Sequence, residues 1–210
     1  MKSSLIRPAL ALTLAMGLAA CGGSGKAEFT VAGTIHGLVY PGTVLTTNGM
    51  EINVAPPATA GGVVNFAFPN KLEYGDVYDV QFKTQPQHQT CGTPAGAIGN
   101  HTDTAGRLAA INITFACAVN SYPIGGKVSG LTVDGLVLAN GSTGGTLTLT
   151  KGTTTEAFDY AMPLLVPFNV TYGVTVITNP TGLRCSVANP TGTMGDAAVT
   201  NINVTCVPAT

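Results

Sequence analysis

The sequence predicts an all-β chain of two tandem antiparallel β-sandwich domains, and three observations predict it. Of the 210 residues, 27 are Gly, 13 are Pro and 30 are Thr, while charged residues make up only 9%. So many breakers and so few charges exclude a coiled coil or helical bundle. A hydrophobic share of 45% is too large for a charge-driven disordered chain, and the glycines lack the three-residue period of collagen. Second, apolar residues alternate with polar ones in short runs bounded by Gly, Pro and Asn, the pattern of half-buried strands. Third, the chain repeats itself.

Val31–Leu38 (VAGTIHGL) matches Ile124–Leu131 (IGGKVSGL), and Tyr78–Pro86 (YDVQFKTQP) matches Tyr172–Pro180 (YGVTVITNP). Asn112–Cys117 (NITFAC) matches Asn201–Cys206 (NINVTC), so three blocks recur in one order at offsets of 93, 94 and 89 residues. That period is too long for a solenoid unit and suits a duplicated small domain. The expected domains are residues 29–117 and 122–208, with 118–121 as linker. Four residues reach about 14 Å, which keeps the domains end to end with restricted freedom.

Taken in order, the first strand points Phe29, Val31 and Ile35 to one face, with Gly33 among them. The second runs from Thr43 to Thr46, matched by Leu136 to Ala139. Glu51 to Val54 is a weaker run whose counterpart, Thr146 to Thr150, is clean. Val64, Phe66 and Phe68 then face inward, echoed by Phe158, Tyr160 and Met162. A fourth inward row is Tyr78, Val80 and Phe82, echoed by Tyr172, Val174 and Val176. The last is Ile111, Ile113, Phe115 and Cys117, echoed by Ile202, Val204 and Cys206. Five to seven strands per copy fill two sheets, because a single sheet leaves one apolar face wet.

The motif Gly-x-Φ-x-Gly-Leu (Φ apolar) occurs at Gly33–Leu38 and Gly126–Leu131, and Tyr-x-Val-x-Φ at Tyr78–Phe82 and Tyr172–Val176. These motifs resemble bacterial β-sandwich repeats of the carboxypeptidase-regulatory or prealbumin-like type. The resemblance implies accessory, stalk or adhesion units of exported proteins. An immunoglobulin-like strand order stays open beside it.

Residues 1–20 carry Lys2 and Arg7, then an apolar stretch from Ala9 to Leu18 that is too short to span a bilayer. They end Leu18-Ala19-Ala20-Cys21, followed by Gly22-Gly23-Ser24-Gly25. This resembles the lipobox signal of bacterial lipoproteins. The resemblance implies cleavage before Cys21, a lipid on its thiol, a flexible tether over 21–28 and membrane contact through that lipid. An Asp after the Cys favours inner-membrane retention in that family; Gly22 stands there instead, which implies the outer membrane.

With Cys21 set aside, four cysteines remain, at spacings of 26 and 21 residues within the copies. The repeat gives each copy one pair, Cys91–Cys117 and Cys185–Cys206, and an oxidising envelope compartment permits both disulfides.

Residues with chemistry to offer are sparse. His88, Cys91 and His101 share a stretch, but Cys91 is claimed by the repeat and Gly182 stands where His88 aligns, so no metal is expected. There is no Gly-x-Ser-x-Gly nucleophile turn, no Gly-x4-Gly-Lys phosphate loop, and no cofactor is expected. Asp76 and Asp79 near Tyr78 read as a solvated strand edge. A net charge of −1 offers no footprint for nucleic acid. The copies disagree most at residues 50–62 and at 94–107, where the first copy is longer and carries Asn100, His101 and Asp103. Loops on a rigid sandwich are the usual seat of recognition, so these three are the candidate contacts for a protein or glycan partner. The expected role is a structural, adhesion or binding module without catalysis. The alternatives are an envelope hydrolase or sugar-processing enzyme, and a small-ligand or metal carrier; either needs a concave pocket with converging polar groups.

Overall fold

Thr, Val, Ile and Phe at every second position drive both halves into strands, and no helix forms among the described residues. The computed structural model describes residues 26–96, 101–151 and 156–210. The signal segment 1–20, Cys21 with residues 22–25 of the tether, and Asn100 lie outside the described residues.

Each half builds two main sheets, with two-stranded pairs at their margins. In the first half Val31–His36 lies between Val64–Ala67 and Ile111–Val119, with Gln89–Gly92 beyond the latter. Its second sheet orders Met50–Val54, Thr43–Thr47 and Gln81–Thr84. The second half repeats the scheme with Phe158–Ala161, Gly125–Ser129, Val204–Pro208 and Leu183–Val187 in one sheet. Thr146–Leu149, Leu136–Asn140, Thr171–Thr178 and Thr191–Thr193 form the other.

Most pairings are antiparallel, but the first and last strands of each half run parallel. Val31 pairs with Ile111 through to His36 with Ala116, and Val128 pairs with Val204. Alternation has the same period in either direction, so the sequence is silent on this point. An immunoglobulin sheet sets the first strand beside the second; here the two occupy different sheets, and that order is not the one found.

The first and last strands approach closely. A Cβ on Gly33 would overlap the Ile113 carbonyl, and one on Gly126 that of Ile202. Just past each first strand, Gly37 and Gly130 both adopt φ of +71°. They turn the chain beside the carbonyls of Cys117 and Cys206, with which a Cβ would clash. The leucines that follow, Leu38 and Leu131, drop into separate cores. This is the physical content of the repeated Gly-Leu.

Both disulfides form as the repeat requires, Cys91–Cys117 and Cys185–Cys206. Each joins directly opposed residues of neighbouring antiparallel strands, within a sheet rather than across the sandwich. The aligned side chains Gln85 and Asn179 accept the Cys91 and Cys185 N–H at 2.8 and 2.7 Å. Each bridge contributes roughly 3 kcal/mol by restricting the unfolded chain.

The apolar rows fill two cores, and among the described residues no buried side chain belongs to both. Val31, Ile35, Leu45, Val80 and Ile113 occupy the places that Ile124, Val128, Leu138, Val174 and Ile202 take in the second half. Burying each such side chain stabilises by about 1.5–3 kcal/mol. Phe66, Phe82 and Phe115 form an aromatic cluster in the first half. The second half has Tyr160, Val176 and Val204 there, and the Tyr160 hydroxyl donates to the Ile202 carbonyl at 2.8 Å.

Two local features differ from the sequence reading. The fourth row is not one uninterrupted strand in the first half, because it changes partner at Val80. Val77–Asp79 pairs with Thr102–Thr104, and Gln81–Thr84 with Thr43–Thr47. The strand at Met50–Val54 is firmer than its alternation suggests. Asn48 and Gly49, at φ of 47° and 73°, close a two-residue hairpin onto Thr43–Thr47.

Gly130→Ala is expected to destabilise the second half by at least about 2 kcal/mol in thermal unfolding, through steric overlap and left-handed backbone strain. Gly92→Ala, where a Cβ meets nothing within 4 Å, should stay within about 0.5 kcal/mol of the parent. Burial pushes the Tyr160 hydroxyl up to about 12. The folded state therefore favours the protonated ring, and this contribution holds below about pH 10, the unfolded value. It is lost as pH rises toward about 12. Absorbance titration at 295 nm should show the last of the six tyrosines ionising near pH 12, a step absent in Tyr160→Phe.

Candidate functional site

The longer loop of the first half is partly a strand. Thr102–Thr104 adds to Val77–Asp79, which places Asp103 opposite Tyr78. His101 Nδ1 lies 3.1 Å from Asp79 Oδ1. Asp103 Oδ1 accepts from the Thr104 N–H at 2.8 Å and from Arg107 at 2.9 Å. Tyr78 is buried beneath this edge, and its hydroxyl is pushed up first by desolvation and then by the Asp103 carboxylate, with Arg107 opposing. His101 and Asp103 thus sit on one polar edge with intramolecular partners. Asp76 and Asp79 diverge: Asp76 accepts the Glu73 N–H, while Asp79 bonds His101 and Gln81.

His88, Cys91 and His101 do not converge, since Cys91 is in its disulfide and the two imidazoles have different carboxylate partners. Among the described residues, no three His, Cys, Asp or Glu side chains gather where an ion would be held. A groove of about 520 Å³ runs between residues 140–144, 164–167 and 170–173. Leu164, Leu165 and Val170 are exposed there, where the first half has Asn70, Lys71 and Asp76.

The most elaborate polar and aromatic constellation lies where the halves meet. Ile111–Val119 and Ser121–Tyr122 are both strands, so Asn120 alone separates them. The Asn120 N–H donates to the His88 carbonyl at 2.9 Å, and its own carbonyl accepts the Phe168 N–H at 2.9 Å. Thr90 Oγ1 donates to Asn120 Oδ1 at 2.8 Å. The His88 ring lies flat on Phe168, with centroids 3.7 Å apart and planes 3° from parallel. Tyr40 sets its edge against both rings, 5.2 Å from His88 and 5.6 Å from Phe168. His88 Nδ1 is 2.7 Å from Asp196 Oδ2.

The junction is built by residues the second half does not repeat. His88 holds φ of +56° and aligns with Gly182 at +76°. For a non-glycine residue that conformation costs roughly 1–2 kcal/mol. A stacked or edge-on aromatic contact offsets about 0.5–1.5 kcal/mol of it beyond the area buried. Gln89 is buried where the second half has Leu183. Its Oε1 accepts the Val39 and Tyr40 N–H groups at 2.7 and 2.9 Å, and its Nε2 donates to the Gly37 carbonyl at 2.7 Å. Gln89 thereby fixes the turn that carries Tyr40. Sequence reasoning missed Tyr40, Gln89, Phe168 and Asp196; the signal that exposes them is the departure of Tyr40, His88 and Gln89 from Val133, Gly182 and Leu183 in the other copy.

No protein-family profile matches the chain, and no curated protein matches it. Among solved structures, the major pilin protein T3.2 of Streptococcus pyogenes serotype GAS13637 is similar over 88% of this chain and 98% of that one, at 12% identity and a TM-score of 0.24. At that score the likeness carries no argument about role.

Removing the ring of Phe168 should uncouple the halves. Nuclear spin relaxation of the parent is expected to give one tumbling time for both halves, and Phe168→Ala two shorter ones, with each core's melting shifted by less than about 1 kcal/mol.

Proposed function

We propose that the chain is a lipid-anchored strut of the bacterial outer membrane that holds its modules at a fixed distance and attitude for adhesion or binding. The observation that carries this reading is the junction. A flexible tandem needs neither a histidine in a left-handed conformation nor a buried glutamine to pin its neighbour. The two independent cores, each with its own disulfide, fit a compartment where thiols are oxidised. The lipobox-like Leu18–Cys21 supplies the anchor, and Gly22 favours the outer membrane. Several acyl chains on Cys21 make such attachment stable where one is marginal. Within this reading the polar edge at His101 and Asp103 is the surface offered to a protein or glycan partner.

Cys21→Ser tests the anchor. The parent is expected in the detergent-extractable membrane fraction with a diacylglyceryl mass on its N-terminal peptide. The variant is expected in the soluble fraction, and a parent chain without lipid would overturn the reading.

A further inference from the structure

Tyr74 is the first-half counterpart of Phe168, and the backbone around it repeats. The Tyr74 N–H donates to the Ala27 carbonyl at 3.0 Å, as Phe168 donates to Asn120 at 2.9 Å. Glu28–Phe29 pairs with Leu72–Glu73 as Ser121–Tyr122 pairs with Val166–Pro167. In the second half the preceding module covers this aromatic with His88 and Tyr40. In the first half the position is uncovered among the described residues: Tyr74 is 71% exposed, its ring lying beside Gly106. Leu108, two residues beyond Gly106, is 54% exposed, and Val77 is 65% exposed. The chain enters this end from Cys21, five residues before Lys26.

We propose that the end of the first half bearing Tyr74 and Leu108 rests on the headgroup layer of the bilayer that holds Cys21. This deepens the anchored-strut reading and rests on its lipid. Lys26 is five residues from Cys21, a reach of at most about 18 Å fully extended, so this end cannot leave the membrane surface. A ring with an apolar body and a hydroxyl tip suits that interface. The nearby cations are paired: Lys26 with Glu73, Lys71 with Glu28, and Arg107 with Asp103. The contact is therefore aromatic and apolar rather than polybasic, and zwitterionic lipid suffices for it.

The chain has no Trp, so Tyr74→Trp installs a single reporter. Ile177→Trp installs one on an exposed site near the far end of the second half. Each full-length variant is purified with its lipid, checked by the mass of its Cys21 peptide, and reconstituted into phosphatidylcholine vesicles containing brominated lipid. The indole at position 74 is expected to shift to the blue and lose about half its emission, as a side chain seated in the headgroup region does. The indole at position 177 should be unaffected, and salt should not change either result. Absence of quenching at 74 with lipid present on Cys21 overturns the contact and leaves the anchor standing. Equal quenching at both positions also overturns it, since the chain then lies flat. A concentration-dependent blue shift at 74 without vesicles, in the lipid-free form that also carries Cys21→Ser, assigns the face to a second copy and overturns the bilayer as its occupant. An unmodified Cys21 overturns both readings.

Discussion

Each half depends on bringing its last strand alongside its first. Ile111 pairs with Val31, and Val204 with Val128, so each sheet is completed by chain that returns from far along the sequence. Loop closure over such distances carries an entropic cost that local alternation cannot repay by itself. Glycines at 33 and 126 let the backbones approach, and glycines at 37 and 130 turn the chain past the opposing carbonyls. The disulfide then ties the last strand to its other neighbour at the same end. The glycines and cysteines that survive in both copies serve this one closure.

What the copies do not share is equally informative. Once closure is secured by common residues, the ends of the sandwich are free to differ. The first copy spends its difference on the junction, with His88 for Gly182, Gln89 for Leu183 and Tyr40 for Val133. The same face of the repeat is covered in the second module by the first, and left open in the first module among the described residues. Two modules with one docked end and one open end have a direction. That polarity supports reading it as a strut standing on a membrane.

Much of the fold was legible in the sequence. Val31, Gly33 and Ile35 face inward as the alternation requires, and so do Phe66, Phe68, Tyr160 and Met162. Both disulfides followed from the repeat, because a duplicated unit keeps its pairs within itself. The candidate site was less legible. His101 and Asp103 fall where the copies differ in length and read as loop residues, yet backbone pairing of Thr102–Thr104 makes this segment a strand edge. The Asn48-Gly49 turn was a signal in plain view that strengthens the Met50–Val54 strand.

Residue order by itself determined the strand content, the duplication, the inward rows and the cysteine pairs, because each is written in local period or in the comparison of one copy with the other. Tertiary structure alone decided that the first and last strands run parallel, since period two is blind to direction. It alone decided that His88 meets Phe168 and Asp196, the latter 108 residues away. Such meetings depend on how two finished modules abut, and no periodicity along either one records them.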